Sequence, residues 1–408
     1  MKHLPPTERV ILLVLAATLL VSGLYFARKS GTNPDAYSND FNVYYHAVRE
    51  VISGRDPYQH SLGDWTPYIY PPLLAELIVP LAFLPLPLAA YVWFSIGAAS
   101  IGAAGWMSAG LANHNEGRAA EQNDLESTPL RAAIAASAVI VVLRFVLDTF
   151  NLGQVNALVA GLAVAHVYLY ARDRKALSAI ALVIAISIKL TPALLLVYHL
   201  SRLRLKFVLA CSALLVGITA LTLLPFGQGG TGAFQTFWNR TVRNEQGYDF
   251  AYSGNQSLRG AIARLTRGPN DALPPTPSES SKPGESTTLL LAMVLLALAV
   301  FAAVRARTEL AAASPFFCCL VLLSPLSWKA HYVILILPAA YLVSVVNASK
   351  SLLIAVALGA AFVLFNVTSP RLIGLGAAEW ADSHSLVFSG ALVVFFGCVS
   401  GTLLTKKR

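Results

Sequence analysis

Apolar residues in this chain gather in long runs, near residues 10–27, 73–86, 88–111, 131–148, 155–171, 177–189, 191–201, 207–225, 288–304, 311–325, 331–346, 351–368 and 385–404. A helix needs roughly 17–25 apolar residues to cross a bilayer core, and several of these runs reach that length. Inside lipid every backbone N–H and C=O must be paired within the structure, and a helix does this segment by segment. Composition points the same way, with 56% hydrophobic and only 12% charged residues, about half the charge density of a soluble domain. The expected class is an all-α polytopic membrane protein forming one domain over residues 1–408. A disordered chain, a collagen and a secreted disulfide scaffold are excluded.

The net charge of +9 is explained by topology rather than by nucleic acid. Basic residues sit in short clusters between apolar runs: Arg172, Arg174 and Lys175; Arg202, Arg204 and Lys206; Arg305 and Arg307; Lys406, Lys407 and Arg408. Such clusters mark cytoplasmic loops. The first run follows Lys2 and Arg9 but is long for a signal peptide and has no A-x-A site before Arg28, so it reads as a retained span. Both termini are then cytoplasmic and the crossings even in number, about twelve. The short run 73–86, crowded by Pro71, Pro72, Pro80, Pro85 and Pro87, is expected not to span. Cys211, Cys318, Cys319 and Cys398 all lie in apolar runs without metal-ligand spacing and read as small core residues.

One straight helix from Leu177 to Leu200 would put the basic clusters at 172–175 and 202–206 on opposite faces. A break at Lys189-Leu190-Thr191-Pro192 returns both to the cytoplasm, and proline supplies the break because it lacks an N–H and clashes with the preceding turn. Lys189 is thereby left at the tip of two half-length helices, where an ammonium needs a wet cavity or an anion. The same bookkeeping places sizeable loops at 28–72 and 226–287 outside, with smaller outer turns near 149–154, 326–331 and 369–384. Chemistry is expected on that face. No internal repeat of solenoid or transporter type is evident.

In the first outer loop Asp40 precedes a helical pattern in which Phe41, Tyr44, Tyr45 and Val48 share a face. Either Asp40 or Asn39 caps that helix, or Asp40 is a working carboxylate beside Tyr44, Tyr45 and His46, whose aromatic faces suit sugar rings. Asp56 reads as a turn or ion-pair residue with Arg55; Asp35 and Asp64 read as loop residues.

Asp40-Phe41 followed by Tyr44-Tyr45, then Gly54-x-Asp56-Pro57-Tyr58 and Tyr70-Pro71-Pro72, resembles the first outer loop of glycosyltransferase family 87, a family of membrane-embedded GT-C enzymes. The resemblance continues at Asn151-Leu152-Gly153-Gln154-Val155-Asn156, Lys189-x-x-Pro192, Asn255-Gln256-Ser257-Leu258 and Ser324-Pro325-x-Ser327-Trp328-x-x-His331, and covers about residues 38 to 340. It implies a GT-C type helical bundle in the plasma (inner) membrane of a bacterium. It also implies inverting transfer of a hexose, typically mannose, from a polyprenyl-phosphate donor to a lipid or glycan hydroxyl outside the cytoplasm. No soluble C-terminal domain of the kind that some related GT-C families carry is expected, and the loop 226–287 matches no particular acceptor.

By resemblance Asp40 holds the position of the catalytic carboxylate, the general base that an acceptor hydroxyl requires. A lipid phosphate leaves readily and needs its charge stabilised. Lys189, His331, Lys329 and Arg259 are the candidates for that task, with Arg240 and Arg243 behind them. Tyr44, Tyr45, Gln154, Asn156, Asn255 and Trp328 are the expected sugar or acceptor contacts, although for Gln154 and Asn156 interhelical hydrogen bonding is an equal reading. No Asp-x-Asp motif, Gly-rich phosphate loop after a strand or dense ligand cluster is present. No cofactor or metal ligand is therefore assigned, the donor sugar being a substrate. A transporter or flippase of lipid-linked sugars would share the polytopic shape and the buried lysine; an oligosaccharide polymerase would use a diphosphate donor.

Overall fold

A computed structural model of the chain describes residues 6–32, 37–58, 67–113, 124–224, 230–243, 249–269 and 284–404. Asp35, Asp64, most of the Pro/Ser-rich stretch before 284 and the final basic cluster fall outside these residues. All regular structure among the described residues is helical. The helices are α1 (Pro6–Thr32), α2 (Asp40–Ile52), α3 (Pro72–Leu77), α4 (Val79–Ala82), α5 (Leu86–Asn113), α6 (Asp124–Val141) and α7 (Leu143–Leu152). They continue with α8 (Asn156–Ala171), α9 (Lys175–Ile188), α10 (Leu194–Ser201), α11 (Leu205–Leu223), α12 (Gly230–Phe237) and α13 (Leu258–Arg267). The last are α14 (Glu285–Arg305), α15 (Glu309–Leu322), α16 (Ile336–Ser349), α17 (Leu352–Phe362), α18 (Pro370–Ile373), α19 (Leu375–Ser383) and α20 (Leu386–Leu404).

Among the described residues six helices, within α1, α5, α11, α14, α16 with its preceding turn, and α20, are long and apolar enough to cross a membrane, and α6 with α7 would make a seventh if the bent pair is one span. Shorter apolar helices fill the bundle between them. Leu13, Leu24, Leu209, Val216, Leu289, Val304 and Leu352 are exposed on the outside of the bundle, and helices apolar on their outer faces are solvated by lipid. This is an integral membrane protein. The run 73–86 divides into α3 and α4, neither long enough to cross. The segment 369–384, expected to be a plain turn, folds into α18 and α19.

At the centre, α5 packs on α1, α6, α8 and α16, while α15 packs on α14, α16 and α20. The bend of 67° between α6 and α7 is bridged by a side chain. Asn366, from a π-helical turn at Val363–Val367, donates to the Val141 carbonyl at 2.9 Å and accepts from the Arg144 N–H at 3.0 Å. The amide thus pairs backbone groups that the break in the helix leaves without their usual partners.

The break after α9 is also present. Lys189 is extended (φ −153, ψ 128), a single 3-10 turn covers Thr191–Ala193, and α10 then brings the chain back. His199 of α10 lies 2.9 Å from His166 of α8, nitrogen to nitrogen. The far ends of α9 and α10 therefore share the end of the bundle at which α8 finishes. Arg202 donates to the Ala303 and Ala306 carbonyls and Arg204 pairs with Glu309, so the clusters at 172–175, 202–206 and 305–307 meet at one end. Asn156, Lys189 and residues 323–331 lie at the other.

Candidate active site

At that other end a cavity of about 1860 Å³ opens among α2, the segment 67–71, α7, Lys189, residues 237–242 and 252–254, the segment 323–331 and residues 362–382. Cavities for a single small ligand hold about 300–1,000 Å³; this one is larger.

Asp40 lines it and is not the helix cap. Asn39 is the N-cap, its side chain accepting from the Asn42 N–H at 3.2 Å and donating to Ser30 Oγ at 2.8 Å. Asp40 begins the first turn, where the helix dipole favours an anion, and its carboxylate is turned to the cavity. Tyr37 Oη donates to it at 2.8 Å, and Gln154 stands close enough to favour its charged form. Burial pushes the Asp40 carboxyl above the ordinary carboxylate range, against the hydrogen bonds of Tyr37 and Gln154 and the positive charges of Lys189 and Lys29.

Lys189 Nζ donates to Asn156 Oδ1 at 2.7 Å and meets His331 Nε2 at 2.8 Å. An ammonium has donors only, so His331 accepts at Nε2 and carries its proton on Nδ1. The same logic orients the amides. Asn156 receives Lys189 on its oxygen, so its Nδ2 faces and donates to Gln154 Oε1, which leaves the Gln154 nitrogen turned toward the Asp40 side. Lys189 to Gln154 is thus one directed chain of donors, with Asp40 beside its end.

Gly153 makes this geometry possible. It closes α7 in the left-handed region (φ +61), and a Cβ there would stand 2.6 Å from Phe26 and 3.0 Å from Phe41 Cβ. The Trp93 indole donates to its carbonyl at 2.9 Å. A side chain at 153 would push Gln154 away from α2.

Of the expected site residues, the cavity wall contains Asp40, Tyr44, Gln154, Lys189, Trp328, Lys329 and His331. Asn156 is buried just behind it. Tyr44 Oη bonds Tyr70 Oη at 3.0 Å. Tyr45 is turned away, donating to the Leu84 carbonyl. Lys329 is paired with Asp382. Arg259 lies off the wall, bonded to Glu285 at 2.8 Å and stacked 3.7 Å above the Phe250 ring. Arg240 donates to the Tyr58 carbonyl.

Asn255 also lies off the wall. Its amide donates to the Phe250 and Pro325 carbonyls and accepts from the Ser257 and Ser327 N–H groups. Beside it the Gln256 N–H bonds the Ser327 carbonyl at 2.8 Å. The Asn255–Leu258 motif therefore braces the segment that carries Trp328 and His331. Among the described residues no group of three or more His, Cys, Asp or Glu side chains is arranged to hold a metal ion.

The cavity also contains Tyr70, from the Tyr70-Pro71-Pro72 motif, and Tyr37, Arg144, Asp148, Arg371 and Asp382, to which no sequence motif points. Arg144 and Asp148 stood in a run read simply as a span. Their signal was a pair of opposite charges four residues apart in apolar sequence, rare unless they face a protein interior.

A polytopic helical protein with a carboxylate, a lysine and an imidazole around a large cavity at one end has the parts of a membrane glycosyltransferase. The profile of glycosyltransferase family 87 matches residues 68–326, and the chain belongs to that family. The match contains Gln154, Asn156 and Lys189 and stops short of Asp40 and His331, which the fold brings to them. The chain is 29% identical over 323 residues to the polyprenol-phosphate-mannose-dependent α-(1-2)-phosphatidylinositol mannoside mannosyltransferase of Mycolicibacterium smegmatis, covering 73% of this chain and 68% of the relative. To the corresponding pentamannoside mannosyltransferase of Mycobacterium tuberculosis it is 28% identical over 338 residues, covering 80% and 70%.

Proposed function

We propose that this glycosyltransferase moves a hexose, mannose in first place, from a polyprenyl phosphate to a hydroxyl of a lipid or glycan acceptor, with inversion and with Asp40 as general base. The observation that carries this is the meeting of a carboxylate freed from capping with the Lys189–His331 pair in one cavity.

In the proposed step the acceptor oxygen forms a bond to the anomeric carbon from the face opposite the phosphate. The bond from that carbon to the phosphate oxygen breaks, and the acceptor proton passes to Asp40. One displacement inverts the configuration. The raised affinity of Asp40 for a proton makes it a better base than an exposed aspartate, while Tyr37 and Gln154 hold it ionised and oriented. Of the three N–H groups of Lys189, Asn156 and His331 take two, and the third is available to the phosphate. The developing charge on the leaving phosphate is met by a cation already in place.

The active end faces away from the cytoplasm in this reading, because the short basic clusters gather at the opposite end. The chain forms one GT-C type domain over 1–408 with outer segments 28–72 and 226–287. In this reading the chain crosses the plasma (inner) membrane of a bacterium about twelve times, with both termini inside. The mannosyl donor is supported by the names of the mycobacterial relatives. The test offers polyprenyl-phosphate mannose and polyprenyl-phosphate glucose separately to purified protein in nanodiscs with a mixed membrane-lipid extract. Labelled sugar should appear on a new lipid. Labelled donor crossing the bilayer with no sugar transferred would replace this reading with a flippase.

A further inference from the structure

The last turn of α1 carries two adjacent polar residues that reach both arms of the site. Ser30 is buried; its hydroxyl takes the Asn39 amide at 2.8 Å and its carbonyl takes the Asn42 amide at 3.2 Å. Those bonds seat the start of α2, and with it Asp40. Lys29, half-buried next to Ser30, reaches the other arm. Its Nζ donates to the Asn151 carbonyl at 3.0 Å and to Asn151 Oδ1 at 3.3 Å. Asn151 lies in the last turn of α7, on the cavity wall and three residues before Gln154. An ammonium there meets carbonyls that a helix end leaves without partners. The positive-inside bias gives no reason for a lysine at this position, because α1 ends at the outer face in the proposed orientation.

We infer that Lys29 is a positioning residue for the general base: it clamps the end of α7 to α1, so that Gln154 stands beside Asp40, and it sets a fixed positive charge within electrostatic reach of that carboxylate. The groups that act on Asp40 are Tyr37 before α2, Tyr44 on α2, Gln154 after α7, Lys189 after α9 and Lys29 on α1, with His331 bonded to Lys189. Burial keeps both phenols protonated, so the positive charges in this set are those of Lys29 and Lys189. The two cations have different tasks. In the proposed step Lys189 meets the donor phosphate, whose negative charge then offsets its field at Asp40. Lys29 is off the cavity wall and bonded to the protein, so its field at Asp40 is the same with the donor bound or absent.

This role rests on Asp40 as the base, and the experiment separates the two. For purified wild type, Lys29→Met, Lys29→Arg and Asp40→Asn, kcat/KM for polyprenyl-phosphate mannose is measured against pH with a mixed membrane-lipid extract as acceptor. Donor affinity and the thermal midpoint are read on the same samples. Loss of the charge in Lys29→Met raises the proton affinity of Asp40. The acid limb should therefore move to higher pH by about one unit, the lower end of what a neighbouring opposite charge confers, with donor affinity retained. Lys29→Arg keeps the charge and the donors and should keep the limb in place. Lys29→Cys should match Lys29→Met and regain the wild-type limb after alkylation with 2-bromoethylamine, which rebuilds a lysine-like ammonium on the folded protein; the four native cysteines are buried. An unmoved limb in Lys29→Met, even with a lower thermal midpoint, would leave Lys29 a helix clamp and overturn the inference. A shift that alkylation does not reverse would overturn it too. An acid limb that persists in the residual transfer of Asp40→Asn would remove Asp40 as the base, and this role with it.

Discussion

At the start of α2 two adjacent residues divide two tasks. Asn39 caps the helix and is tied to Ser30; Asp40, relieved of capping, faces Tyr37, Gln154 and the cavity. The sequence offered both residues for the cap, and no local pattern separates them. What separates them is Ser30 on α1, nine residues earlier, whose hydroxyl takes the Asn39 amide. The Tyr37 hydroxyl stabilises the charged form of Asp40, so its loss raises a proton affinity that burial has already raised. Since the base must be ionised to act, Tyr37→Phe should move the acid limb of kcat/KM to higher pH. A pH profile with that limb unmoved or shifted lower would remove Tyr37 from the Asp40 environment.

Among the elements, the break at Lys189–Pro192 was legible because it combines a local cause, the proline, with a global constraint, the placing of basic clusters on one side. The bend between α6 and α7 was not legible. Nothing near Val142 breaks a helix; the break is bridged by Asn366, more than two hundred residues away in sequence. Nor did spacing alone show that Asn255 is a brace, since its partners at 325 and 327 come from another part of the chain. Asn366→Ala would leave the Arg144 N–H and the Val141 carbonyl without this partner, at about 1–3 kcal/mol for a buried group left unpaired. Thermal unfolding in detergent should show a lower midpoint, and an unchanged midpoint would mean that the bend stands without Asn366.

On the scale of the whole molecule, the amphiphilic outline was legible from composition and run length, because lipid solvates the apolar outer faces of α1, α11 and α14. The convergence of 37–40, 144–154, 189, 323–331 and 371–382 on one cavity is a tertiary fact that no single motif contains. Its orientation follows from the basic clusters and is open to direct labelling. The four native cysteines are buried, so an introduced thiol reports alone. In right-side-out vesicles Arg243→Cys should react with an impermeant maleimide at once and Asp173→Cys only after permeabilisation; the opposite order would invert the topology. The central claim is that Asp40 removes the acceptor proton at a centre where Lys189 and His331 hold the donor phosphate. The most direct test is hexose transfer by wild type and Asp40→Asn at saturating polyprenyl-phosphate mannose, with donor binding measured on the same samples. The account predicts transfer reduced by about 10²–10⁴-fold, the usual contribution of a general base, with donor affinity retained. Near-normal transfer by Asp40→Asn would contradict it.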